Sequence, residues 1–241
     1  MSEIFGLHAV ESALETAPER IRVLYVQKGR DRRRDVLVAK AREAGLRVEF
    51  VERAWLDRRT DGRHQGVLAQ SQALGLTDEK AFEAAWSELP SPRLVMALDG
   101  VQDPRNLGAC LRSAGAAGVQ AVLLPKRNSA PVNAAALKTA AGVAERLLLV
   151  SVTNLARRLD WLASNGAWIV GAAGEAEADY YDADFSGDTV LVMGGEEKGL
   201  KRLTREKCDQ LVRIPMAEGV ESLNVSVATG VLLFEAVRQR R

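Results

Sequence analysis

Three stretches in the second half of the chain hold the side chains that could perform chemistry. They span residues 103–114, 194–199 and 214–228. Each follows or straddles an apolar run that predicts a strand, and ligands of open α/β sheets bind where strands end. We therefore expect the three stretches to contribute to one ligand site. Their polar members of interest are Asn106, Arg112, Glu196, Glu197, Ser222, Asn224 and Ser226.

Each stretch also has an ordinary structural explanation when it is taken alone. Asn106 can cap a helix and leave Arg112 solvated, although a guanidinium near a helix mouth can also hold a phosphate or carboxylate. The glycines of Gly194-Gly-Glu-Glu-Lys-Gly199 suit a tight turn as well as close backbone approach to a ligand. Ser222 can cap a long C-terminal helix, and Asn224 then needs a hydrogen-bond partner within its first turn.

The elements that must position these residues alternate between short apolar strands and helices from Arg93 onward. Strands are predicted over 94–98, 119–124, 146–150, 168–170, 189–193 and 211–214. Helices are predicted over 106–117, 134–141, 154–164, 203–209 and 222–237. This alternation predicts an α/β domain with a parallel sheet and helices on both faces.

The chain before Arg93 predicts a smaller unit and a connection. Residues 1–75 contain helix patterns over 6–14 and 32–44 and strand patterns over 21–26, 48–51 and 66–70. Residues 76–92 are acidic, end in two prolines, and predict a linker with one short helix over 79–87. The predicted organisation is thus a small α/β domain (1–75), a linker (76–92) and a larger α/β domain (93–241).

Composition and missing motifs exclude several classes of protein. The 33 basic and 32 acidic residues leave a net charge of +1, and 47% of the 241 residues are hydrophobic, as in ordinary globular proteins. The 2 cysteines have no metal-ligand spacing, so we expect no metal site and a reducing, cytoplasmic environment. No dinucleotide fingerprint, phosphate loop or Ser-His-Asp triad can be assembled. We also expect no membrane span.

Together, the three stretches resemble the signature motifs of the SpoU (TrmH-like) 2′-O-ribose RNA methyltransferases, within the SPOUT superfamily. The elements that resemble the three motifs, in order, are Asn106-Leu-Gly-Ala-x-x-Arg112, Gly194-x-Glu196-x-x-Gly199, and Ile214-Pro-Met216 with Ser222-Leu-Asn-Val-Ser226. Further similarity at Phe5-Gly-Leu-His-Ala-Val10, His64-Gln-Gly-Val67 and 234–240 extends the resemblance over nearly the whole chain. It points to members that methylate a guanosine ribose in bacterial 23S rRNA. Glu197 departs from the pattern, since the family usually has a small residue there.

The resemblance implies a fold, a cofactor and partners. The larger domain is expected to have a deep trefoil knot and to bind S-adenosylmethionine. The smaller domain is expected to resemble the L30e/L7Ae-like RNA-binding domain. Members are homodimers whose site lies between two catalytic domains, so helix 222–237 is either part of that interface or a core helix. The implied cofactor-binding residues are Gly194, Gly195, Gly199, Ile214, Met216 and Leu223. The basic residues expected to contact RNA phosphates, or otherwise to form a solvated helix start, are Lys28, Arg30, Arg32, Arg33 and Arg34.

The resemblance also implies a catalytic group. It assigns Arg112 as the base that activates the ribose 2′-hydroxyl, but a guanidinium stays charged at any ordinary pH. We therefore expect Arg112 to orient the target phosphate and stabilise developing alkoxide, while Glu196 or the phosphate takes the proton. Asn106, Ser222 and Asn224 are expected to hold the arginine, the ribose and the cofactor loops by hydrogen bonds. Two alternatives stay open: the same chemistry on tRNA or another rRNA site, and a catalytically idle RNA-binding module.

Overall fold

Two separate sheets organise the chain in the computed structural model, which describes residues 2–60, 62–71 and 75–241. The strands are β1 (Ser2–Phe5), β2 (Ile21–Gln27), β3 (Arg47–Val51), β4 (Val67–Ser71), β5 (Leu94–Asp99), β6 (Ala121–Pro125), β7 (Leu148–Val152), β8 (Trp168–Ala172), β9 (Ala178–Asp179), β10 (Thr189–Gly194) and β11 (Gln210–Arg213). The helices are α1 (Leu7–Thr16), α2 (Arg32–Glu43), α3 (Arg53–Asp57), α4 (Glu79–Trp86), α5 (Pro104–Ala116), α6 (Ala134–Ala140), α7 (Leu155–Ser164), α8 (Arg202–Arg205) and α9 (Val225–Gln239).

The smaller sheet has the order β1-β4-β2-β3. β2 and β3 are parallel, whereas β4 pairs antiparallel with both β1 and β2. Alternate residues of these strands, such as Leu24 and Val26, pack with the apolar faces of α1 and α2. The sequence analysis did not predict β1 or α3, because both are too short to show a clear period.

The larger sheet has the order β7-β6-β5-β10-β8-β11-β9, and every neighbouring pair is parallel. Along β5, Met96 and Leu98 pack in a core with residues of α5, α6 and α9. The intervening Val95 and Ala97 pack in a second core with residues of α4 and α7. The predicted parallel sheet with helices on both faces is therefore confirmed. The knotted path of the chain stays a prediction.

Helix α4 lies in the segment predicted as a linker, and it packs on the larger sheet. Phe82 is fully buried against this sheet, together with Trp86. Glu79 and Glu83 accept hydrogen bonds from Arg158 of α7, at 3.1 and 2.7 Å. The short helix was predicted from the sequence, and its burial places it in the core of the larger domain. The domain boundaries themselves stay predictions.

Two predicted helix starts are wrong, and both concern the candidate site. α5 begins at Pro104, because Asp103 caps it by accepting from the backbone N–H groups of Arg105 and Asn106. Proline is well suited to the first helical position, where its missing N–H costs nothing. α9 begins at Val225 with Asn224 as its cap, so Ser222 lies before the helix. Asn106, which was predicted to cap its helix, thus lies within the first turn of α5. Asn224, which was predicted to lie within the first turn of its helix, is the cap of α9. Elsewhere, α8 is shorter than predicted and β9 was not predicted.

The two domains meet where β1 and α1 pack against α6 and the turn that follows it. The Lys138 ammonium lies 5.4 Å from the centre of the Phe5 ring. A Cβ added at Gly142 would lie 2.5 Å from Ser12 Oγ, so glycine permits this close approach. Glu145 is half-buried at the same contact, and its Oε2 atom has no hydrogen-bond partner. Burial raises the pKa of the Glu145 carboxyl, although its own backbone amide and the charge of Arg20 act to lower it.

We expect Glu145→Gln to raise the melting temperature at pH 7. Because the pKa is raised in the folded state, stability falls as pH rises from the unfolded-state pKa through the folded-state pKa, where an unpaired carboxylate becomes buried. Each kcal/mol recovered corresponds to about 2–4 °C for a chain of this size. The gain should vanish below about pH 4, where the carboxyl is protonated in both states. Thermal unfolding between pH 4 and pH 8 checks this, and an equal effect at all pH values would contradict it.

Within the described ranges, no helix is long and apolar enough to cross a membrane. The same residues contain no group of three or more histidine, cysteine, aspartate or glutamate side chains that could hold a metal ion.

Candidate active site

Two neighbouring cavities open at the carboxyl ends of the larger sheet. The apolar cavity, of about 410 Å³, lies over the ends of β8, β10 and β11. The polar cavity, of about 560 Å³, lies over the end of β5 and beside Asn128, which follows β6. They share a wall made of Gly195, Glu196 and Gly199, directly after β10. The central strand β10 therefore carries the partition between two potential ligand sites.

The apolar cavity contains every residue predicted to bind a cofactor. These residues are Gly194, Gly195, Gly199, Ile214, Met216 and Leu223. Met193, Val212 and Leu232 add further apolar surface. The polar and charged residues of the lining are Glu196, Arg213, Glu221, Ser222 and Asn224. Apolar walls with a few convergent polar groups are typical of cofactor sites, and a cavity of this volume lies in their usual range. The residues present thus fit an adenosyl cofactor.

The partition is a tight hairpin formed by the second motif. The N–H and C=O groups of Gly195 and Gly199 bond to each other in both directions, at 3.2 and 3.1 Å. Gly199 has a positive φ of 60°, a conformation that glycine adopts most readily. A Cβ at Gly194 would clash with the backbone of Gly199 and Leu200. The glycines therefore set the shape of this loop and place Glu196 at its tip.

A continuous set of hydrogen bonds joins the three motifs. Asn106 Nδ2 donates to Glu196 Oε1 at 2.8 Å, and Asn224 Nδ2 donates to Asn106 Oδ1 at 3.1 Å. Asn224 Oδ1 in turn accepts from the N–H and the hydroxyl of Ser226, at 2.9 and 2.6 Å. The start of α9 thereby fixes Asn224, which orients Asn106, which holds Glu196. The second carboxylate oxygen of Glu196 has only a long contact of 3.5 Å with Gln102 N.

Arg112 and Ser222 lie outside this hydrogen-bonded set. Six residues along an α-helix place Arg112 about 9 Å further along α5 than Asn106, and about 120° away around it. Its side chain is exposed and makes no hydrogen bond or ion pair with any residue that the structure describes. Ser222 lines the apolar cavity, but its hydroxyl is likewise unbonded within the described chain. Of the five predicted catalytic residues, the structure brings together Asn106, Glu196 and Asn224.

Sequence reasoning missed two features that support the site. Asp99 ends β5 and is almost completely buried, and both its oxygens are bound by Lys201, through Nζ at 2.6 Å and the backbone N–H at 2.9 Å. This pair ties the segment after the hairpin to β5. Residues 172–174 line the apolar cavity after β8. The sequence signal for Asp99 was a polar residue at the end of a buried strand. Residues 172–174 gave no such signal, because their place in the cavity follows from the order of the strands in the sheet.

Neither cysteine is a candidate nucleophile. Burial raises the pKa of the Cys110 thiol to about 11, although a hydrogen bond with Thr229 acts to lower it. Burial also raises the pKa of Cys208 to about 12. Both side chains are therefore protonated thiols near neutral pH, and the thiolate is the reactive form.

The basic residues of the smaller domain separate into two groups. Arg34 is buried, and its guanidinium donates to the Gln27 carbonyl at 3.0 Å. Lys28 is exposed and pairs with Glu52 at 2.8 Å. Arg30, Arg32 and Arg33 are exposed at the start of α2, and their side chains form no ion pair among the described residues. These three arginines remain the best predicted phosphate contacts of the domain.

We expect Gly195→Ala to weaken binding of S-adenosylmethionine. The added methyl would lie 2.5 Å from the Gly100 carbonyl oxygen, so the hairpin would have to move away from the β5 loop. Overpacking of this kind typically costs about 1–3 kcal/mol. Isothermal titration calorimetry checks the affinity. Gly187→Ala is the matched control, because a Cβ there meets nothing within 4 Å. Equal affinities for the two variants would contradict the role assigned to the hairpin.

The fold and the cavities define an α/β protein with a candidate cofactor site at the carboxyl edge of a parallel sheet. A model of the SpoU rRNA methylase family matches residues 93–234, and a model for RNA 2′-O ribose methyltransferase substrate binding matches residues 4–75. The chain belongs to the SpoU rRNA methylase family.

Curated relatives cover the whole chain. The 23S rRNA (guanosine-2′-O-)-methyltransferase RlmB of Escherichia coli K12 is 50% identical over 243 residues, which cover 100% of both proteins. The protein of the same name from Pseudomonas syringae pv. tomato is 49% identical over 241 residues, with 100% of this chain and 96% of the relative covered.

Solved structures agree with this family. An AdoMet-bound rRNA methyltransferase from Sinorhizobium meliloti is 26% identical with a TM-score of 0.78, covering 98% of this chain and 87% of the other. A tRNA-modifying TrmH/SpoU enzyme of A. aeolicus is 31% identical with a TM-score of 0.56, covering 62% of this chain and 76% of its own. The similarity to the Sinorhizobium meliloti enzyme therefore spans nearly the whole chain, whereas the tRNA enzyme matches a smaller part of it.

Proposed function

We propose that this protein methylates the ribose 2′-hydroxyl of a guanosine in 23S rRNA, with S-adenosylmethionine as methyl donor. The observation that supports it most directly is the identity of about half of all positions to 23S rRNA guanosine methyltransferases, over the full length of both chains. The cavities and the hydrogen-bonded motifs supply a physical basis for the same activity. An rRNA substrate and the unpaired cysteines favour the cytoplasm as its location.

The side chains of the site have separate tasks in this reaction. When bound, S-adenosylmethionine supplies an electrophilic methyl group on a positively charged sulfur. The Glu196 carboxylate accepts the proton of the 2′-hydroxyl, since its Oε2 atom is nearly free of partners. Asn106 holds the other oxygen and so fixes the direction in which Oε2 faces. The apolar side chains of this cavity, such as Ile214 and Met216, pack against the adenosine of the cofactor.

Arg112 is exposed and has no hydrogen bond or ion pair with the described residues that hold Glu196. We therefore assign its guanidinium to the site of another subunit. The exposed side of α9 carries Val227 and Phe234, both about half exposed, with Val231 between them at helical spacing. α9 also packs beside α5, which carries Arg112. We propose a homodimer formed through α5 and α9, in which Arg112 orients the target phosphate of the partner's site.

The smaller domain is proposed to bind the RNA through the start of α2. Replacing Arg30, Arg32 and Arg33 together with alanine should raise KM for RNA and leave kcat unchanged. The dependence of binding on salt should also weaken, by a slope of about 0.7–0.9 for each lost phosphate contact. Arg42→Ala, an exposed arginine at the other end of α2, is the matched control. An unchanged salt slope in the triple variant would exclude this surface from the RNA interface.

Transfer of tritiated methyl to unmodified 23S rRNA transcript tests the whole proposal, with the site mapped by primer extension. Label at one guanosine, lost with Arg112→Ala and Asn224→Ser, is the expected result. Serine keeps a capping oxygen for α9 but removes the amide that donates to Asn106. Label on tRNA alone would overturn the substrate. No label and no heat of cofactor binding would favour an idle RNA-binding module.

A further inference from the structure

The proposed reaction has so far assigned no ligand to the polar cavity. It lies on the other side of the hairpin from the apolar cavity, and Glu196 lines both. An occupant of the polar cavity would therefore lie beside the carboxylate and next to whatever fills the apolar cavity. Methyl transfer needs the two reactants within about 3–3.5 Å of each other, in line. Because Glu196 lines both cavities, their occupants can meet beside this carboxylate, which suits a second reactant in the polar cavity.

The lining of the polar cavity has hydrogen-bonding capacity that the fold does not use. Asp99 is bound by Lys201, and Asp103 caps α5, so these two carboxylates are occupied. The side chains of Gln102, Asn128, Glu197 and Lys198 make no hydrogen bond or ion pair with any described residue. Two amides that can each donate and accept, with one carboxylate and one ammonium beside them, match the edge of a nucleobase and an adjoining phosphate. The volume of about 560 Å³ lies within the range of small-molecule sites.

Two basic residues precede Asn128 along the chain. Lys126 and Arg127 are exposed, and neither forms an ion pair within the described chain. Asn128 itself has a φ of 55°, which is uncommon outside glycine and tolerated best by asparagine and aspartate. The backbone therefore turns sharply at this residue, between the basic pair and the buried core. Phosphates on either side of a nucleotide in the cavity would lie near these cations.

We propose that the polar cavity receives the target nucleotide of the RNA, turned out of its stack, an inference that rests on the proposed function. The amides of Gln102 and Asn128 contact the base, and Lys198, with Lys126 and Arg127, contacts the adjoining phosphates. The ribose then lies at the shared wall, with its 2′-hydroxyl toward Glu196. Enzymes that act on nucleotides commonly take the target out of the helix, and single-stranded or bulged RNA makes this least costly.

Photocrosslinking tests where the target base lies. The probe is a 23S rRNA fragment with 6-thioguanosine at the position that the wild-type protein methylates, irradiated with the full-length protein and S-adenosylhomocysteine. Peptide mapping is expected to place the crosslink within residues 100–106, 128 or 195–201. Crosslinks confined to other segments, or none from this position, would overturn the proposal. If the wild-type protein methylates no guanosine of the fragment, it is the proposed function that fails instead.

Two variants test the individual contacts. Asn128→Gly removes the amide while keeping the positive φ accessible, and Lys198→Ala removes one ammonium. Each is expected to raise KM for RNA by about three- to tenfold, the range of one lost hydrogen bond, with the affinity for S-adenosylmethionine unchanged. Lys80→Ala is the matched control, an exposed lysine on α4 with no ion pair among the described residues. Unchanged KM and kcat in both cavity variants would contradict the assigned contacts.

Discussion

Glu196→Gln should lower kcat by about 10²–10⁴-fold, the usual contribution of a positioned general base. Glutamine has nearly the same shape, and its amide oxygen can still accept from Asn106 Nδ2, so the hairpin should keep its geometry. What glutamine cannot do is take the proton of the ribose hydroxyl. The affinity for S-adenosylmethionine and the KM for RNA should both stay near the wild-type values. Single-turnover methyl transfer together with calorimetry separates chemistry from binding in this variant.

A matched control separates the loss of the proposed base from the loss of any surface carboxylate. Glu88→Gln is the matched control, since Glu88 is exposed in the segment before β5. A variant with normal kcat and weaker cofactor binding would instead make Glu196 a cofactor contact. The proton would then go to the RNA phosphate.

The fold class could be predicted from local pattern in the sequence, whereas the roles of the motif residues were implied by the resemblance to a family. The central strands β5 and β10 are buried on both faces, so runs such as residues 94–98 are continuously apolar and easily detected. The glycine spacing after β10 likewise indicates a tight turn, because it depends on neighbouring residues alone. Every residue predicted to bind the cofactor lines one cavity for a related reason, since the ends of neighbouring parallel strands meet at one edge.

The error at Asn106 shows the limit of local rules. Both Asn106 and Asp103 are good capping residues, and the prediction chose the one inside the motif. Pro104 decided the outcome, because proline immediately after an aspartate favours the first helical position. With Asp103 as the cap, the amide of Asn106 is released to join Glu196 and Asn224. The sequence Asp103-Pro104 therefore indicated the correct start of the helix, but the prediction relied on the capping propensity of Asn106 alone.

The contacts between the motifs could not be predicted from the sequence. The residues bonded to Asn106 lie 90 and 118 positions away along the chain. Their approach depends on β5 pairing with β10 in the centre of the sheet, and neither periodicity nor composition specifies that order. The exposure of Arg112 could not be predicted for the same reason, because it follows from which face of α5 packs beside α9.

Mixed dimers provide the sharpest test of where Arg112 acts. Arg112→Ala alone should lower kcat by about 10²–10³-fold, as loss of a charge-stabilising donor does in other enzymes. Heterodimers of an Arg112→Ala chain with a Glu196→Gln chain, purified through two different tags, should regain about half of the wild-type activity per dimer. In such a dimer one site combines an intact Glu196 with the partner's Arg112, while the other site has lost both groups.

The reciprocal heterodimer gives the opposite result for the two possible positions of Arg112, in its own chain's site or in the partner's site. Here both substitutions lie on one chain and the other chain is wild type. If Arg112 serves the partner's site, each site of this dimer lacks one group, and activity should stay near that of the single variants. If Arg112 instead serves its own chain, the wild-type subunit retains a complete site, and this dimer is the active one. Because Arg112 lies about 120° around α5 from Asn106, the structure favours activity in the first heterodimer and not in the second. Monomeric behaviour of the purified chain would exclude the proposed dimer.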